Sequence, residues 1–462
     1  MKHLSKADVE EAICFILDEC IRFAKMPICE LKRRDTRDYF CYLPHPNGRD
    51  RMLCGHLAEA KLWEIAEEGL RLNNLAGRVS AKTLRGILGS ELVKRFVIEK
   101  RAIDARQIDR LMSWLGRAAV RKCSSRTHFI PCHLMYVDEP EELSVGPVTL
   151  RSRKSFRSQI LPLVRGYDPG GDSKWTRKLL SGALHYYRGF KWFVEVAVPL
   201  ADSELSEKIA WEAATAALNC LHLCFGAEAT DKMVLGGPRL ERDNRAHLQI
   251  DSDGKLRTKL RVGGLGQVGF ASGWSTEWVG SEAELFIKLS GVALEIVVDP
   301  DLQRPVSRRV LDAIYWFGEG VRETGDAAKV VKYVTALERM LMTNEGDDIA
   351  KLVSERCAAF CLTSDEPITL EQWRAEALGL YELRSRLVHG DMSPLSKEVR
   401  SGARLGAKIA RLVILAALRH LGEEGLHAER VSTSRLARWF DAIVSASEQF
   451  ARERQVMNER VK

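Results

Sequence analysis

No apolar run in this 462-residue chain approaches the length of a membrane span. The N-terminal stretch interleaves Asp8, Glu10, Glu11 and Asp18 with its apolar residues, which excludes a secretory signal. No Cys-x-x-Cys pair occurs among the eleven cysteines, an odd number without a repeating frame. Cys29, Cys41, Cys54 and His56 are donors of the right types for zinc, but they lack the close knuckle of a structural zinc site. Buried free thiols in a reducing, cytoplasmic setting are therefore expected, with no metal and no cofactor. Cys220 and Cys224, four apart in an apolar stretch, read as core residues. A glycine-rich phosphate loop, internal repeats and low-complexity tracts are missing too. The excess of positive charge is only +7, so contact with a polyanion has to come from local patches.

What is present is the composition of an ordered globular protein, 45% apolar and 29% charged, in a chain long enough for two or three domains. The pattern predicts an α+β, mainly α fold in three regions. Residues 1–125 read as helical, most clearly over Val9 to Phe23, Leu57 to Leu72, Ala81 to Lys100 and Ala105 to Lys122, with a break at the Pro/Gly/Asp-rich segment Pro44 to Asp50. Residues 126–300 mix strand and helix. Phe190 to Val198 alternates like a strand, Leu205 to Phe225 is an apolar helix, and strand-like pieces between His247 and Phe270 flank an Asp253-Gly254 turn. Asp299-Pro300-Asp301 marks a boundary, and 301–462 reads as helix throughout.

The segment Leu380 to Asp391 sets Arg384 five residues before His389, where a helix is expected to end. Arginine offers a charged, forked donor to a phosphate, and histidine exchanges a proton near neutral pH. The same spacing recurs at Arg51 with His56 and at Arg242 with His247, and about one such match is expected by chance, so spacing alone is weak. The setting separates the third instance: Trp373, Leu380, Leu383 and Leu387 recur at helical intervals, Gly390 suits a C′ position, and Pro394 lies just beyond. Arg242 lies instead in the polar run Glu241 to Asn244, and Arg51 follows Pro44, Pro46, Asn47 and Gly48. Residues five apart on an ideal helix differ by about 140°, so Arg384 and His389 share a face only if the helix loosens at its end, which Gly390 permits. In the plainer reading His389 caps the last carbonyls and Arg384 makes a surface ion pair.

Two basic stretches are candidates for contact with a polyanion. Lys397, Arg400, Arg404, Lys408 and Arg411 follow helical spacing just after the motif, with Leu405, Ile409, Leu412 and Ala416 as the apolar side. Between Lys94 and Lys122 basic residues outnumber Glu99, Asp104 and Asp109, and a solvated helix face accounts for that run.

The motif resembles the signature of the Apea-like HEPN family, read here as Tyr381, Arg384-Ser385, Leu387-Val388 and His389-Gly390. Trp316 in Ala313 to Phe317 is similar to the family's first-helix tryptophan, and Ala336-Leu337-Glu338 with Met340-Leu341 to its second-helix Ala-Leu-Glu. His128 to Pro131 through Val148 to Arg151 resembles the strand-rich opening that often precedes the domain. The likeness covers about 300 to 460 well and 125 to 300 loosely, and leaves out the first 120 residues.

The resemblance implies a C-terminal helical bundle of HEPN type over 301–462, behind a sensing or regulatory middle domain over 126–300. It implies a metal-independent endoribonuclease of antiviral, antiphage defence. Arg384 and His389 would be its catalytic residues; from the residues themselves, Glu338 on the second helix is a supporting carboxylate or a structural ion-pair partner, Ser385 a polar neighbour, and Tyr381 a packing residue that could stack on a base. Attack by the RNA 2′-OH would leave a 2′,3′-cyclic phosphate, with His389 as general base or acid and Arg384 stabilising the phosphorane. Active members often carry Asn, Asp or His after the arginine; Ser385, a weaker polar partner, stands here, as is common in the Apea-like branch. RNA, including tRNA and other structured RNA, is the implied partner, with a phage-derived trigger and a homodimer or assembly of dimers that joins two motifs in one site. A noncatalytic HEPN scaffold that binds RNA or a partner protein through the same basic face is the alternative. A transcriptional or nucleotide-sensing protein acting through its N-terminal helices finds no recognition helix to support it.

Overall fold

The computed structural model describes residues 3–26, 41–167, 173–237, 242–250, 252, 255–266, 268–343, 348–364 and 366–461. Among them are 16 helices and small sheets, 66% helix and 12% strand, an α+β and mainly α protein. The chain divides into two compact units, 1–126 with 198–209, and 127–197 with 210–462.

In the first unit, α1 (Lys6–Lys25) starts at a capping box in which the Ser5 hydroxyl accepts from Asp8 N and the Asp8 carboxylate accepts from Ser5 N. A hairpin follows, β1 (Cys41–Pro44) and β2 (Arg51–Cys54), with Cys41 opposite Cys54. Then come α2 (His56–Leu72), α3 (Ala81–Leu92), which continues as a π-helical segment Val93–Ile98, and α4 (Ala105–Val120), capped by Asp104. Their apolar stripes meet in one core that includes Ile13, Ile16, Leu62, Ile65, Leu84, Leu88, Leu111 and Leu115. Asp202, 1% exposed, accepts from Ser80 N and caps the helix that begins at Ser203 by accepting from Leu205 N.

The second unit carries a five-stranded sheet of order β4-β5-β6-β3-β7, from β3 (Ser124–His133), β4 (Glu142–Val145), β5 (Val148–Ser152), β6 (Trp192–Ala201) and β7 (Val234–Leu235). The division between the units falls within β3, β6 and α7 (Ser203–Phe225). Helices α5 (Arg153–Arg165) and α6 (Ser173–Tyr187) lie between β5 and β6 in sequence. After the short α8 (Ala227–Thr230), β8 (Arg242–Ile250) and β9 (Leu256–Gly264) pair as a separate antiparallel ribbon. The Asp253-Gly254 turn and Glu241 lie outside the described residues.

A short α9 (Trp274–Trp278) leads to the helical part: α10 (Glu282–Val298), α11 (Pro305–Arg322), α12 (Asp326–Leu341), α13 (Ile349–Cys361), α14 (Leu370–His389), α15 (Lys397–His427) and α16 (Thr433–Val461). Helix α15 packs on α10, α11, α12, α13 and α14, so it is the central element, and the expected boundary near 300 falls inside this unit. The buried face of α15 begins with Val399, Gly402, Ala403 and Gly406 and continues through Ile409, Ala410, Val413, Ile414, Leu415, Ala417 and Leu418 to Leu426. Of the apolar side expected from sequence only Ile409 lies on it; Leu405, Leu412 and Ala416 are half-buried flanks. Small residues win the centre because α12 and α14 come close: a Cβ on Gly402 would lie 2.1 Å from Leu383 Cδ2, and one on Gly406 would lie 3.2 Å from Tyr333 Cβ. Gly422, with φ of 59°, kinks the helix near its end. No helix among the described residues is long and apolar enough to cross a membrane.

Candidate functional site

Helix α14 carries the motif. It opens on a capping box in which the Thr369 hydroxyl accepts from Gln372 N at 3.2 Å and the Gln372 carboxamide accepts from Thr369 N at 2.9 Å. It is anchored by Leu370, Trp373, Ala377, Leu380 and Leu383, all buried, whereas Leu387 is only half-buried. Removing a buried leucine such as Leu380 costs about 2–5 kcal/mol, so this stripe holds the register of everything that follows. The helix is continuous through His389, and Gly390 ends it in the left-handed region at φ of 82°. The N–H groups of Gly390 and Asp391 both donate to Arg386 O. The loosening that sequence allowed before His389 does not occur; the break comes one residue later. Arg384 and His389 therefore point about 140° apart around the helix within one chain.

Their surroundings differ accordingly. Arg384 is half-buried where α14 meets α12. Its Nη2 lies 3.7 Å from Glu338 Oε2, an ion pair too long for a hydrogen bond, and its guanidinium sits 5.9 Å from the centre of the Tyr381 ring. Tyr381 Oη donates to Glu338 Oε1 at 3.0 Å. Burial, with the Glu338 carboxylate beside it, pushes the Tyr381 phenol up, so it stays protonated and keeps that donation. Arg384 Nε is enclosed and has no hydrogen-bond partner among the described residues, as is also true of Arg85, Arg356 and Arg374 Nε. A guanidinium held only loosely by one carboxylate and 26% exposed can donate from its outer N–H groups to an anionic oxygen. His389 is exposed at the helix end, and Ser385 is half-buried beside Arg384.

The basic stripe on α15 separates into unlike members. Lys397, Arg400 and Arg404 are exposed, and Arg400 pairs loosely with Asp326 at 3.6 Å. Lys408 is half-buried, tied to Glu366 Oε2 at 2.5 Å and set 5.0 Å from the centre of the Trp373 ring. Arg411 donates to Leu223 O at 2.8 Å and Cys224 O at 2.7 Å, sealing the last carbonyls of α7. Its guanidinium is thereby occupied in the fold. Sequence spacing could not separate these cases, because Glu366, Asp326 and the end of α7 reach the stripe from distant positions. In the other basic run, Lys94, Arg101, Arg106, Arg110, Arg117, Arg121 and Lys122 are exposed, and Arg95 is buried in an ion pair with Glu91.

Lys329 and Tyr333 of α12 were not singled out from sequence, although they line a cleft with Arg400, Arg404 and Lys408. Their spacing of four was the available signal, and any structural helix has many such pairs.

Among the zinc candidates, Cys29 lies outside the described residues. Cys41 and Cys54 are opposite each other across the hairpin, and Cys54 and the Cys20 thiol of α1 are buried in the same core. No group of three or more His, Cys, Asp or Glu side chains among the described residues has the geometry to hold a metal ion. Cys220 and Cys224 are buried.

Comparison of the chain with protein-family models, with curated proteins and with solved structures gave no match.

Proposed function

We propose that the protein is a metal-independent endoribonuclease of HEPN type that acts in antiviral, antiphage defence, with Arg384 and His389 as its catalytic residues. The observation that carries this reading is the state of Arg384: loosely oriented by Glu338, flanked by Tyr381 and still 26% exposed, on the same helix as an exposed terminal histidine. Such an arginine is poised for the charge of a phosphorane, and such a histidine is reachable by a substrate hydroxyl.

Because the two point about 140° apart on one helix, the working site is composite. In a dimer with a two-fold axis, the arginine of one chain and the histidine of its mate face one phosphodiester. A histidine takes the proton of the 2′-OH, the oxygen attacks the adjacent phosphorus, and the P–O5′ bond breaks as a proton is delivered to the leaving oxygen. The products are a 2′,3′-cyclic phosphate and a free 5′-OH. DNA, lacking the 2′-OH, is not cut.

The purified chain is expected to cleave RNA in the presence of a chelator, with His389→Ala lowering the rate by about 10²–10⁴-fold at unchanged stability. Equal cleavage by His389→Ala and the parent overturns the assignment. Mixing inactive Arg384→Ala and His389→Ala chains is expected to restore part of the activity, because each mixed dimer keeps one residue of each kind. The angle between Arg384 and His389 favours the alternative, a noncatalytic RNA- or protein-binding scaffold, if light scattering finds only a monomer.

A further inference from the structure

A cleft of about 760 Å³ in the second unit lies apart from the residues assigned to cleavage. One wall is a single face of α15, where Arg400, Arg404, Lys408 and Arg411 succeed one another at helical spacing. The end of α7 with the short α8, from Phe225 to Ala229 and again at Asp231, forms another, and Lys329 and Tyr333 of α12 also line it.

Five cations face three carboxylates there: Glu228, Asp231 and Asp326. Most of these charges are already engaged. Asp326 is paired with Arg400, Asp231 with Lys232, Lys408 with Glu366, and Arg411 is spent on carbonyls of α7. Lys329 and Arg404 make no ion pair with any described residue, so they are the cations left for a ligand. The Tyr333 hydroxyl likewise has no hydrogen-bond partner among the described residues. Burial pushes its phenol up, which keeps it a donor. The remaining lining, Phe225, Val321, Ala403 and Ala407, is apolar, and the volume matches that of small-molecule sites, about 300–1,000 Å³. Glu228 is the one lining carboxylate without an ion pair to a described residue, so two unpaired cations face a single carboxylate, and this excess beside an apolar wall suits an anion that carries a planar, apolar body rather than a bare inorganic ion.

We infer that this cleft binds a phosphorylated nucleoside, free or within a strand, with Lys329, Arg404 and the Tyr333 hydroxyl on its phosphate and the apolar wall against its base. Recognition here uses side-chain cations on two helices, with no glycine-rich loop. The inference does not depend on RNA cleavage, and its test involves none.

Titration of the full chain with ADP, with pyrophosphate and with a short single-stranded DNA oligonucleotide, which the proposed nuclease cannot cut, reads the site directly. Expected is binding of ADP or of the oligonucleotide that exceeds pyrophosphate binding. Arg404→Glu and Lys329→Glu, both accessible and checked for unchanged thermal midpoints, each weaken it by about tenfold or more. Arg435→Glu, the same charge change on exposed α16 outside the cleft, leaves it intact. If ADP binds, the ligand is a free nucleotide; if only the oligonucleotide binds, with the same dependence on Arg404 and Lys329, the phosphate belongs to a strand. Failure of both probes at millimolar concentration overturns the inference. So does parent-like binding by the two cleft variants, or pyrophosphate binding as tight as that of ADP.

Discussion

Two glutamate–arginine pairs in this protein have opposite characters. In the first unit, Glu91 and Arg95 lie one turn apart along one helical run, 2.6 Å from each other, with side chains 9% and 8% exposed and the guanidinium 5.5 Å from the centre of the Trp114 ring. In the second, Glu338 and Arg384 come from α12 and α14, stand 3.7 Å apart and are 23% and 26% exposed, while Tyr381 takes the other carboxylate oxygen. A local pair closes on itself and is satisfied. The pair built across two helices is loose, and it leaves an enclosed donor, Arg384 Nε, without a partner among the described residues. The guanidinium of Arg384 is therefore held loosely and partly open to solvent, whereas that of Arg95 is closed off by its own pair.

Stability measurements break this comparison if it is wrong. Arg95→Ala strands a buried carboxylate and is expected to cost about 3–5 kcal/mol in denaturant unfolding. Arg384→Ala removes a loose, partly exposed pair and is expected to cost about 1 kcal/mol or less. Comparable losses in the two variants make Arg384 a structural residue.

The histidines repeat the contrast, and pH sharpens it. His222 is buried in α7, its Nδ1 2.8 Å from Thr230 Oγ1. The Thr230 hydroxyl donates to Gly226 O, so it accepts from Nδ1–H and fixes the tautomer, leaving Nε2 as an enclosed acceptor with no partner among the described residues. Burial, helped by the Arg322 guanidinium, pushes this imidazole down to about 3 from an ordinary 6.5. Between those values the unfolded chain binds a proton that the folded chain refuses, so stability falls as pH drops through this window and His222 adds nothing above it. The slope from this one residue is at most about 1.4 kcal/mol per pH unit. His222→Asn is expected to flatten the acid side of the stability profile. An unchanged profile removes His222 as a determinant.

The smallest effect concerns Tyr381. Tyr381→Phe deletes its hydrogen bond to Glu338 at a cost of about 0.5–1.5 kcal/mol. Because the freed carboxylate can then turn fully to Arg384, cleavage is expected to fall modestly while RNA affinity stays the same. A variant with parent-like cleavage assigns Tyr381 to packing alone.

Helices were the most legible part of the fold. The periodic stretches of the first 125 residues became α1 to α4, and the apolar run before Phe225 became α7, because a helix face repeats within a few residues whatever surrounds it. The face of α15 was misplaced. Leucines at 405 and 412 looked like its core, but Gly402, Ala403 and Gly406 hold the centre, where the neighbours Leu383 and Tyr333 leave no room for more. Size at a helix crossing is set by the partner helix, which local pattern does not contain.

For the site, the sequence by itself determined the order Arg384, His389, Gly390, the helix that carries them and its end, since capping and periodicity are local. Only the tertiary structure decided that Glu338 and Tyr381 leave Arg384 part-free, that Arg411 is consumed by the end of α7 and Lys408 by Glu366, and that Lys329 and Arg404 face one cleft. A charge is written in the sequence. Whether it is neutralised depends on groups tens to hundreds of residues away, brought within a few ångströms by packing.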